Sequence, residues 1–312
     1  MRAIGVNHYG GPEALEVVEL PEPHAGPGQI RIRVHAAAVN PTDTYVRDGS
    51  RAERQRKDPP PYVPGMDAAG VVDEIGEGAG GGLALGDPVM AIVVPDGAYG
   101  AYAEYVVVPV GSVVRAPAGA DHAHAATLPM NGLTARRTLD LLDPEPGATI
   151  AVTGAAGAYG GYVVQLAKAA GLRVVADASD ADVELVRKLG ADVVVPRGDD
   201  VAARIREAVP EGVDVLADGS VQGDLLLPAV RDGGRIATVR GHTGPEERGV
   251  TWHPVFVREV AEDRERLDAL RVLAESGAVT LRVAGTYPAE RAPEAHARLE
   301  RGGTRGRLVL LF

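Results

Sequence analysis

Cysteine is absent from the 312-residue chain. The protein therefore forms no disulfide, and it has no thiolate metal ligand and no cysteine nucleophile. Long apolar runs are also absent, since none approaches the roughly eighteen residues that span a bilayer. The N-terminal residues MRAIGVNHYG lack the apolar segment of a signal peptide. We therefore expect a cytoplasmic protein that does not enter the membrane.

Positive charge is in short supply, with 32 Lys and Arg residues against 43 Asp and Glu residues, a net charge of −11. No basic stripe is interleaved with aromatic residues, so nothing indicates a nucleic-acid partner. Hydrophobic residues make up 45% and charged residues 24% of the chain, as in soluble globular proteins. The length suits two domains.

The predicted secondary structure changes near residue 148. Before it, short strand-like runs such as Gln29 to Val34 alternate with loops rich in glycine and proline, which predicts a β domain. After it, apolar strands alternate with helical segments, the last of them Leu225 to Val230, which predicts a parallel, doubly wound sheet. The predicted strands are Thr149 to Val152, Arg173 to Ala176, Asp192 to Val195, Val213 to Ala217 and Arg235 to Val239.

A glycine turn stands at the start of the second region, in the stretch IAVTGAAGAYGGY from Ile150. Residues Ala155 to Gly160 have the form AxGxxG, after an apolar strand and before a helix. In a Rossmann unit such a turn lets the pyrophosphate of a dinucleotide approach a helix N-terminus. Such glycines also serve purely structural turns, and Rossmann domains support many chemistries. The turn therefore predicts a dinucleotide but no particular reaction.

Seven stretches, in order along the whole chain, resemble the medium-chain dehydrogenase/reductase superfamily and, within it, the zinc-free quinone oxidoreductases related to zeta-crystallin. They are VNPTDTYVRDG from Val39, PGMDAAGVV from Pro64, GDPV from Gly86, AYAEY from Ala101, LPMNGLTA from Leu128, the glycine turn, and GGTRGR from Gly302. The resemblance implies a GroES-like β-barrel domain, residues 1–121 completed by 282–312, and a Rossmann domain, residues 122–281. It also implies an active site in the cleft and a homodimer.

The resemblance argues against zinc. Alcohol dehydrogenases of the superfamily place a Cys and a His ligand at the positions matched by Asn40 and Met66, and neither residue here suits zinc. His122 and His124 are the one close histidine pair, and we expect them in a solvated loop. Without a Lewis acid, the acceptors expected are already electrophilic, namely quinones and α,β-unsaturated carbonyls.

The leading hypothesis is an NADPH-dependent quinone oxidoreductase that transfers hydride without a metal. One alternative is an enoyl or 2-alkenal reductase of the same superfamily, acting on a C=C bond. Another is a nicotinamide-binding sensor that does not turn over.

The resemblance also assigns catalytic residues. Asn40, Asp43 and Tyr45 line the cleft near the nicotinamide; Asn40 orients the ring or the acceptor oxygen, and Tyr45 donates a hydrogen bond or proton. The alternative is that Asp43 caps a turn and that Tyr45 packs as an ordinary wall residue.

The expected coenzyme contacts follow the family pattern. Asn131 and Thr134 approach the nicotinamide side, Gly241 lies in the loop after a strand, and Phe256 covers the nicotinamide pocket or the dimer edge. Arg305 and Arg307 lie near the coenzyme cleft, or else form a solvated basic turn. The turn itself contributes Gly154, Ala155, Ala156, Gly157, Ala158, Tyr159 and Gly160. Tyr159 either fills the groove beneath the pyrophosphate or narrows the coenzyme channel.

Coenzyme choice depends on the end of the second Rossmann strand. NAD enzymes carry an acid there, whereas NADP enzymes carry a small residue with a basic group nearby. The small Ala178 and Ser179 favour NADPH, and Arg197 is the candidate partner of its 2′-phosphate; NADH remains the alternative. Three acids oppose a phosphate here unless Arg197 or Lys188 covers it: Asp177, Asp180 and Asp182.

Overall fold

The computed structural model describes residues 1–55, 58–95 and 99–312. Contacts divide the chain into two compact units. The first comprises Met1–Met130, Val260–Ser276 and Leu281–Phe312, and the second comprises Asn131–Glu259 and Gly277–Thr280. The division assigns residues 122–130 and 260–276 to the first unit, whereas the sequence-based boundaries put them in the Rossmann domain. One reason is that Ser112 Oγ donates to Ala261 O and Ala118 N donates to Glu275 Oε1.

The second unit is a parallel sheet with helical connections. Its strands are β8 (Thr149–Thr153), β9 (Arg173–Ala178), β10 (Val193–Pro196), β11 (Val213–Asp218), β12 (Val230–Thr238) and β13 (Thr251–Pro254). Its helices are α4 (Pro129–Leu142), which starts in the first unit, α5 (Ala158–Ala169), α6 (Val183–Lys188) and α7 (Val201–Ala208).

Within the described residues, the strand order of this sheet is β10-β9-β8-β11-β12-β13, and every neighbouring pair is parallel. This is the doubly wound Rossmann order, which reverses direction next to β8. The prediction of a Rossmann fold is therefore confirmed. The apolar residues Ile150, Ala151 and Val152 of β8 are fully buried, as expected for a central strand covered on both faces.

The first unit is built mainly of antiparallel strands. They are β1 (Arg2–Gly5), β2 (Glu16–Glu19), β3 (Gln29–Val39), β4 (Asp67–Ile75), β5 (Pro88–Ile92), β6 (Tyr105–Pro109), β7 (Val113–Arg115), β14 (Val283–Pro288) and β15 (Arg307–Leu311). The helices are α1 (Pro41–Arg47), α2 (Ala52–Gln55), α3 (His122–Ala125), α8 (Arg264–Glu275) and α9 (Ala292–Glu300).

The long strand β3 organises this unit. It pairs with β4 along most of its length, with β6 through residues 29–33 and with β15 through residues 36–39. The alternation predicted for its first half is confirmed, because Ile30, Ile32 and Val34 are buried. Since β15 is antiparallel to β3, Leu308 near the start of β15 lies beside Val39 at the end of β3, where α1 begins.

Two local expectations were wrong. His122 and His124 lie in α3 instead of a loop, because the Asp121 side chain caps that helix by accepting from His124 N. His122 also stacks on His35, with ring centroids 4.7 Å apart. The helix expected from Leu225 to Val230 is a 3₁₀ segment, Gly223–Ala229, since Pro228 within it has no N–H to donate.

Among the described residues, no helix combines the length and the apolar character that crossing a membrane requires.

Candidate functional site

Two buried carboxylates hold the segment between β3 and α1. Asp43, in the first turn of α1, accepts hydrogen bonds from Asn40 N at 2.8 Å and from Gly65 N at 3.3 Å. Asp67, the first residue of β4, accepts from Asn40 Nδ2 at 2.7 Å and from Met130 N at 2.7 Å. Asn40, Asp43 and Asp67 are all 1% exposed or less. The start of α1 is therefore held through both its backbone and its Asn40 side chain.

Burial sets the protonation of both carboxyl groups. It raises the pKa of Asp43 to about 7, opposed by hydrogen bonds from Asn40 and Tyr102. It raises the pKa of Asp67 to about 6, opposed by hydrogen bonds from Met130 and Asn40. The positive charge of Arg307 lowers the pKa of both groups. Each carboxyl thus changes protonation near neutral pH, where ordinary surface carboxyls are fully ionised.

A chain of buried polar side chains leads away from Asp43. The Tyr102 hydroxyl donates to Asp43 Oδ2 at 2.9 Å and lies 3.1 Å from His296 Nε2. On the other side of the imidazole, Arg47 Nη1 lies 3.3 Å from His296 Nδ1. Arg47 also binds Glu300 Oε1 at 2.5 Å through Nη2 and Gly10 O at 3.2 Å through Nε. Tyr102 and His296 are fully buried, and Arg47 is 4% exposed.

Tyr45 lies on α1, two residues after Asp43, and is half-buried. The guanidinium of Arg51 sits over its ring, 5.3 Å from the centroid, which is cation–π geometry. In the same helix, Thr42 Oγ1 donates to Met66 Sδ at 3.3 Å. The predicted catalytic residues Asn40, Asp43 and Tyr45 therefore all lie in or directly before α1, and only Tyr45 is partly exposed.

The glycine turn of the second unit connects β8 to α5. Gly154 has φ +66°, a conformation that suits glycine, and Gly157 is the N-cap of α5. The residues that follow, Ala158, Tyr159 and Gly160, form the first helical turn. An ideal Cβ on Gly160 would stand 2.4 Å from Gly154 O, so the turn closes tightly on the helix. Between the glycines, Ala155 is buried, and Ala155 N donates to Asp177 Oδ1 at 3.1 Å.

Tyr159 packs inside the second unit. Its hydroxyl lies 2.8 Å from Thr138 Oγ1 of α4, and its ring stands 3.0 Å from an ideal Cβ on Gly219. Burial raises the pKa of this hydroxyl, which therefore stays protonated. The ring thus fills space beside the glycine turn, next to Gly219.

The residues expected to select the coenzyme lie at the ends of β9 and β10. Ala178 ends β9 and is 3% exposed, and its O accepts from Arg197 N at 2.9 Å. The Arg197 side chain is exposed. Asp177 is turned toward the glycine turn, as described above. Asp182 is buried and accepts from the Ser179 hydroxyl. Two of the three opposing acids are thus engaged in internal hydrogen bonds.

The remaining predicted coenzyme residues are distributed over both units. Asn131 and Thr134 lie on α4 and are buried, and Gly241 has φ +79° and lies against the exposed Phe256 ring. In the first unit, Arg305 is half-buried in the turn before β15, and Arg307 is buried at the start of β15. The alternative of a solvated basic turn does not apply to Arg307, whose charge acts on Asp43 and Asp67.

Comparisons with known proteins give the family. The chain matches the alcohol dehydrogenase GroES-like domain over residues 26–118 and the zinc-binding dehydrogenase family over residues 189–310. A quinone oxidoreductase of Lama guanicoe is 32% identical over 339 residues, covering 100% of this chain and 98% of that protein. The chain belongs to the quinone oxidoreductase family of medium-chain dehydrogenases/reductases.

Other family members agree with this assignment. The structure of the quinone oxidoreductase from Coxiella burnetii superposes with a TM-score of 0.89 at 27% identity, covering 100% of this chain and 99% of that one. An NADPH-dependent alkenal/one oxidoreductase of Arabidopsis thaliana is 32% identical over 320 residues, covering 99% of this chain and 79% of that protein. The predicted family and the GroES-like domain are thus confirmed, and the protein is an oxidoreductase.

Membership of this oxidoreductase family implies a nicotinamide coenzyme, and the glycine turn fits one. The twelve-residue helix α5 begins at a glycine N-cap, which puts no side chain over the first N–H groups. Such an end, with its positive helix dipole, suits a pyrophosphate. Gly154, Ala155, Ala156 and Gly157 would form the bend that holds it.

The same fit fails for zinc. Asn40 Nδ2 and Met66 Sδ, at the positions of zinc ligands in alcohol dehydrogenases, are engaged with Asp67 and Thr42. Across residues 1–55, 58–95 and 99–312, no three His, Asp or Glu side chains form a group suited to a metal ion. The donor set of this family member therefore does not match the zinc site that one matching family is named for.

Sequence reasoning missed four members of the buried network in the first unit. Asp67 and Tyr102 stand in the stretches PGMDAAGVV and AYAEY, so their surroundings gave a signal although their roles did not. Arg47 likewise stands in the stretch VNPTDTYVRDG, whereas His296 lies outside all seven stretches, and its contact with Arg47 across 249 residues gave no signal.

The glycine turn generates a prediction for this family member. Gly160→Ala puts a methyl group 2.4 Å from Gly154 O, so the turn must open. We expect coenzyme to bind about tenfold or more weakly, measured by quenching of protein fluorescence or by calorimetry. Gly157→Ala is the graded comparison, because its methyl group meets a single atom at 3.1 Å, and its loss should be smaller. Equal affinities for wild type and Gly160→Ala would contradict the assignment.

Proposed function

We propose that this protein is an NADPH-dependent quinone oxidoreductase that works without a metal. The observation that carries the proposal is the state of Asn40 and Met66, which hydrogen-bond within the protein where zinc enzymes bind their metal. Because these residues do not hold a metal ion that would act as a Lewis acid, the acceptor must already be electrophilic. Quinones meet that requirement, and quinone reduction is the activity named for the Lama guanicoe relative.

A nicotinamide coenzyme, when bound, would supply the hydride that reduces the quinone. This chain would supply binding and a proton: the N-terminus of α5 would hold the pyrophosphate, and Asn131 and Thr134 would lie toward the nicotinamide. The quinone, after gaining a hydride, takes up one proton to become the hydroquinone. Tyr45 is the proposed donor of that proton, since it is the partly exposed member of the catalytic set.

NADPH is the proposed coenzyme because the small Ala178 and the exposed Arg197 lie at the strand ends where NAD and NADP enzymes differ. Ala178 offers no carboxylate to the ribose hydroxyls, and Arg197 on the neighbouring strand end offers a guanidinium for the 2′-phosphate. The internal hydrogen bonds of Asp177 and Asp182 reduce the repulsion that the sequence suggested.

Reduction of an activated alkene is the second candidate. It is supported by the 32% identity to the NADPH-dependent alkenal/one oxidoreductase of Arabidopsis thaliana. The chemistry differs only in the acceptor, because hydride adds to the β carbon of the enone and the proton goes to the α carbon.

Initial rates test the proposal directly. Purified, chelator-treated protein is given NADPH or NADH with a simple benzoquinone or with an unsaturated aldehyde. We expect rapid oxidation of NADPH by the quinone, unaffected by the chelator. Preference for the aldehyde would favour the alkene reductase. Coenzyme binding without turnover on either acceptor would instead favour a sensor.

Arg197→Ala tests the coenzyme. If the guanidinium binds the 2′-phosphate, KM for NADPH should rise about tenfold while KM for NADH changes less than about twofold. Arg187→Ala is the matched control, because Arg187 is also exposed, on α6, and pairs with Glu184. An equal effect on both coenzymes would mean that Arg197 does not contact the 2′-phosphate.

Tyr45→Phe tests the proton donor. If the Tyr45 hydroxyl donates the proton, kcat with quinone should fall by much more than about tenfold. A fall of no more than about tenfold would mean that the site mainly orients coenzyme and acceptor. Unchanged coenzyme affinity is the control that the variant keeps its fold.

The homodimer is proposed from the family resemblance, and the cytoplasmic location is proposed from the sequence. Light scattering of the purified protein and localisation of a tagged chain would test them.

A further inference from the structure

The hydrogen bonds that link Arg47, His296, Tyr102 and Asp43 all donate in one direction, toward Asp43. Arginine has only donors, so His296 Nδ1 must accept from Arg47. Burial, and then the charge of Arg47, lowers the pKa of His296 to about 3, so the ring is neutral. A neutral imidazole that accepts at Nδ1 carries its hydrogen on Nε2, which faces the Tyr102 oxygen. The one hydroxyl hydrogen of Tyr102 is left to point at Asp43.

This row of hydrogen-bonded side chains does not conduct protons. Its outer end is the Arg47 guanidinium, paired with the partly exposed Glu300, and arginine is not deprotonated in proteins. A proton entering at Glu300 therefore cannot pass to His296. The row of side chains fixes orientation instead. Arg47 sets which nitrogen of His296 carries the hydrogen, and His296 in turn sets the direction of the Tyr102 O–H bond.

Asp43 is the group on which that orientation acts. The charged and titratable groups that influence it are Asp67 on β4, Arg307 on β15 and Tyr102, which precedes β6. Burial and Asp67 raise the pKa of Asp43, whereas Arg307 and the hydrogen bonds from Asn40 and Tyr102 lower it. These effects balance near neutral pH, where one hydrogen bond decides between a carboxylate and a carboxylic acid.

The ionised form of Asp43 is the one that fits its partners. It accepts from Asn40 N, Gly65 N and Tyr102 at once, and a protonated carboxyl has a hydrogen of its own to place among three donors. Protonation therefore loosens the link between the start of α1 and the segment before β4.

We propose that Arg47, His296 and Tyr102 are positioning residues for the reduction: they aim the Tyr102 hydroxyl at Asp43 and so maintain the carboxylate that holds Asn40 and Gly65. The inference rests on the proposed function in one respect, namely that the segment from Asn40 to Tyr45 serves the reaction.

The kinetic test is the pH profile of kcat/KM for quinone reduction, between about pH 5.5 and 9. Wild type should lose activity as the pH falls through about 7, the pKa of Asp43. In Tyr102→Phe this acidic limb should move about one pH unit upward, and the rate at high pH should stay within about twofold of wild type. Tyr62→Phe is the matched control. The Tyr62 hydroxyl donates to Asp58 O and takes no part in the hydrogen bonds that lead to Asp43, so the acidic limb of the pH profile should not move.

Two variants of His296 separate orientation from packing. His296→Gln keeps an acceptor for Arg47 and a donor for Tyr102, so the acidic limb of its pH profile should stay near that of wild type. His296→Leu removes both and should shift the limb as Tyr102→Phe does. An equal loss of activity at every pH, or a limb that does not move in Tyr102→Phe, would overturn the proposal.

Unfolding by urea gives a readout independent of any reaction. Because the pKa of Asp43 is higher in the folded than in the unfolded chain, its contribution to stability is lost as the pH rises from about 4 toward the folded pKa. That loss should end near pH 7 in wild type and continue about one unit further in Tyr102→Phe. The gap between their unfolding midpoints should therefore widen between about pH 7 and 8, and a constant gap would overturn the proposal. If wild type reduces no quinone, the proposed function fails, and this measurement alone decides the inference.

Discussion

Burial of two carboxylates beside Asn40 is the constraint on which the first unit depends. Taking a charge out of water is costly unless the protein supplies hydrogen bonds and opposite charge in place of the lost hydration. Here Asp43 and Asp67 receive backbone hydrogen bonds from Asn40, Gly65 and Met130, and they share the field of Arg307. These bonds require the end of β3, the start of α1 and the start of β4 to lie together.

The second unit uses a carboxylate for a related structural purpose. Asp177 stands one residue before the position at which NAD enzymes hold the ribose hydroxyls, and its carboxylate accepts from Ala155 N in the glycine turn. An acid near the end of β9 is therefore consistent with a site for NADPH, because this acid faces the turn that precedes α5. Proximity to a binding motif in the sequence did not reveal which way the side chain points.

Asn40 and Met66, which match the zinc-ligand positions of alcohol dehydrogenases, form hydrogen bonds within this protein. A zinc ion would fix the residues at positions 40 and 66 by coordination. In this chain Asn40 is fixed by Asp67 and Met66 receives a hydrogen bond from Thr42, while Asp43 links the same two segments. Hydrogen bonds between protein groups thus hold the segment that carries the proposed catalytic residues.

The sequence by itself determined the parallel sheet, the glycine turn and the identity of Asn40 and Met66 at the positions where alcohol dehydrogenases bind zinc. These features depend on local patterns: the alternation of strands and helices, AxGxxG between β8 and α5, and single residues at matched positions. The tertiary structure decided which polar groups meet. Tyr102 and His296 are 194 residues apart, and no local pattern records their contact. It also decided that Asp43 and Asp67 are buried, and burial is what moves their pKa values toward neutrality. Desolvation is a property of everything packed around a group, so residues near it in sequence do not reveal it.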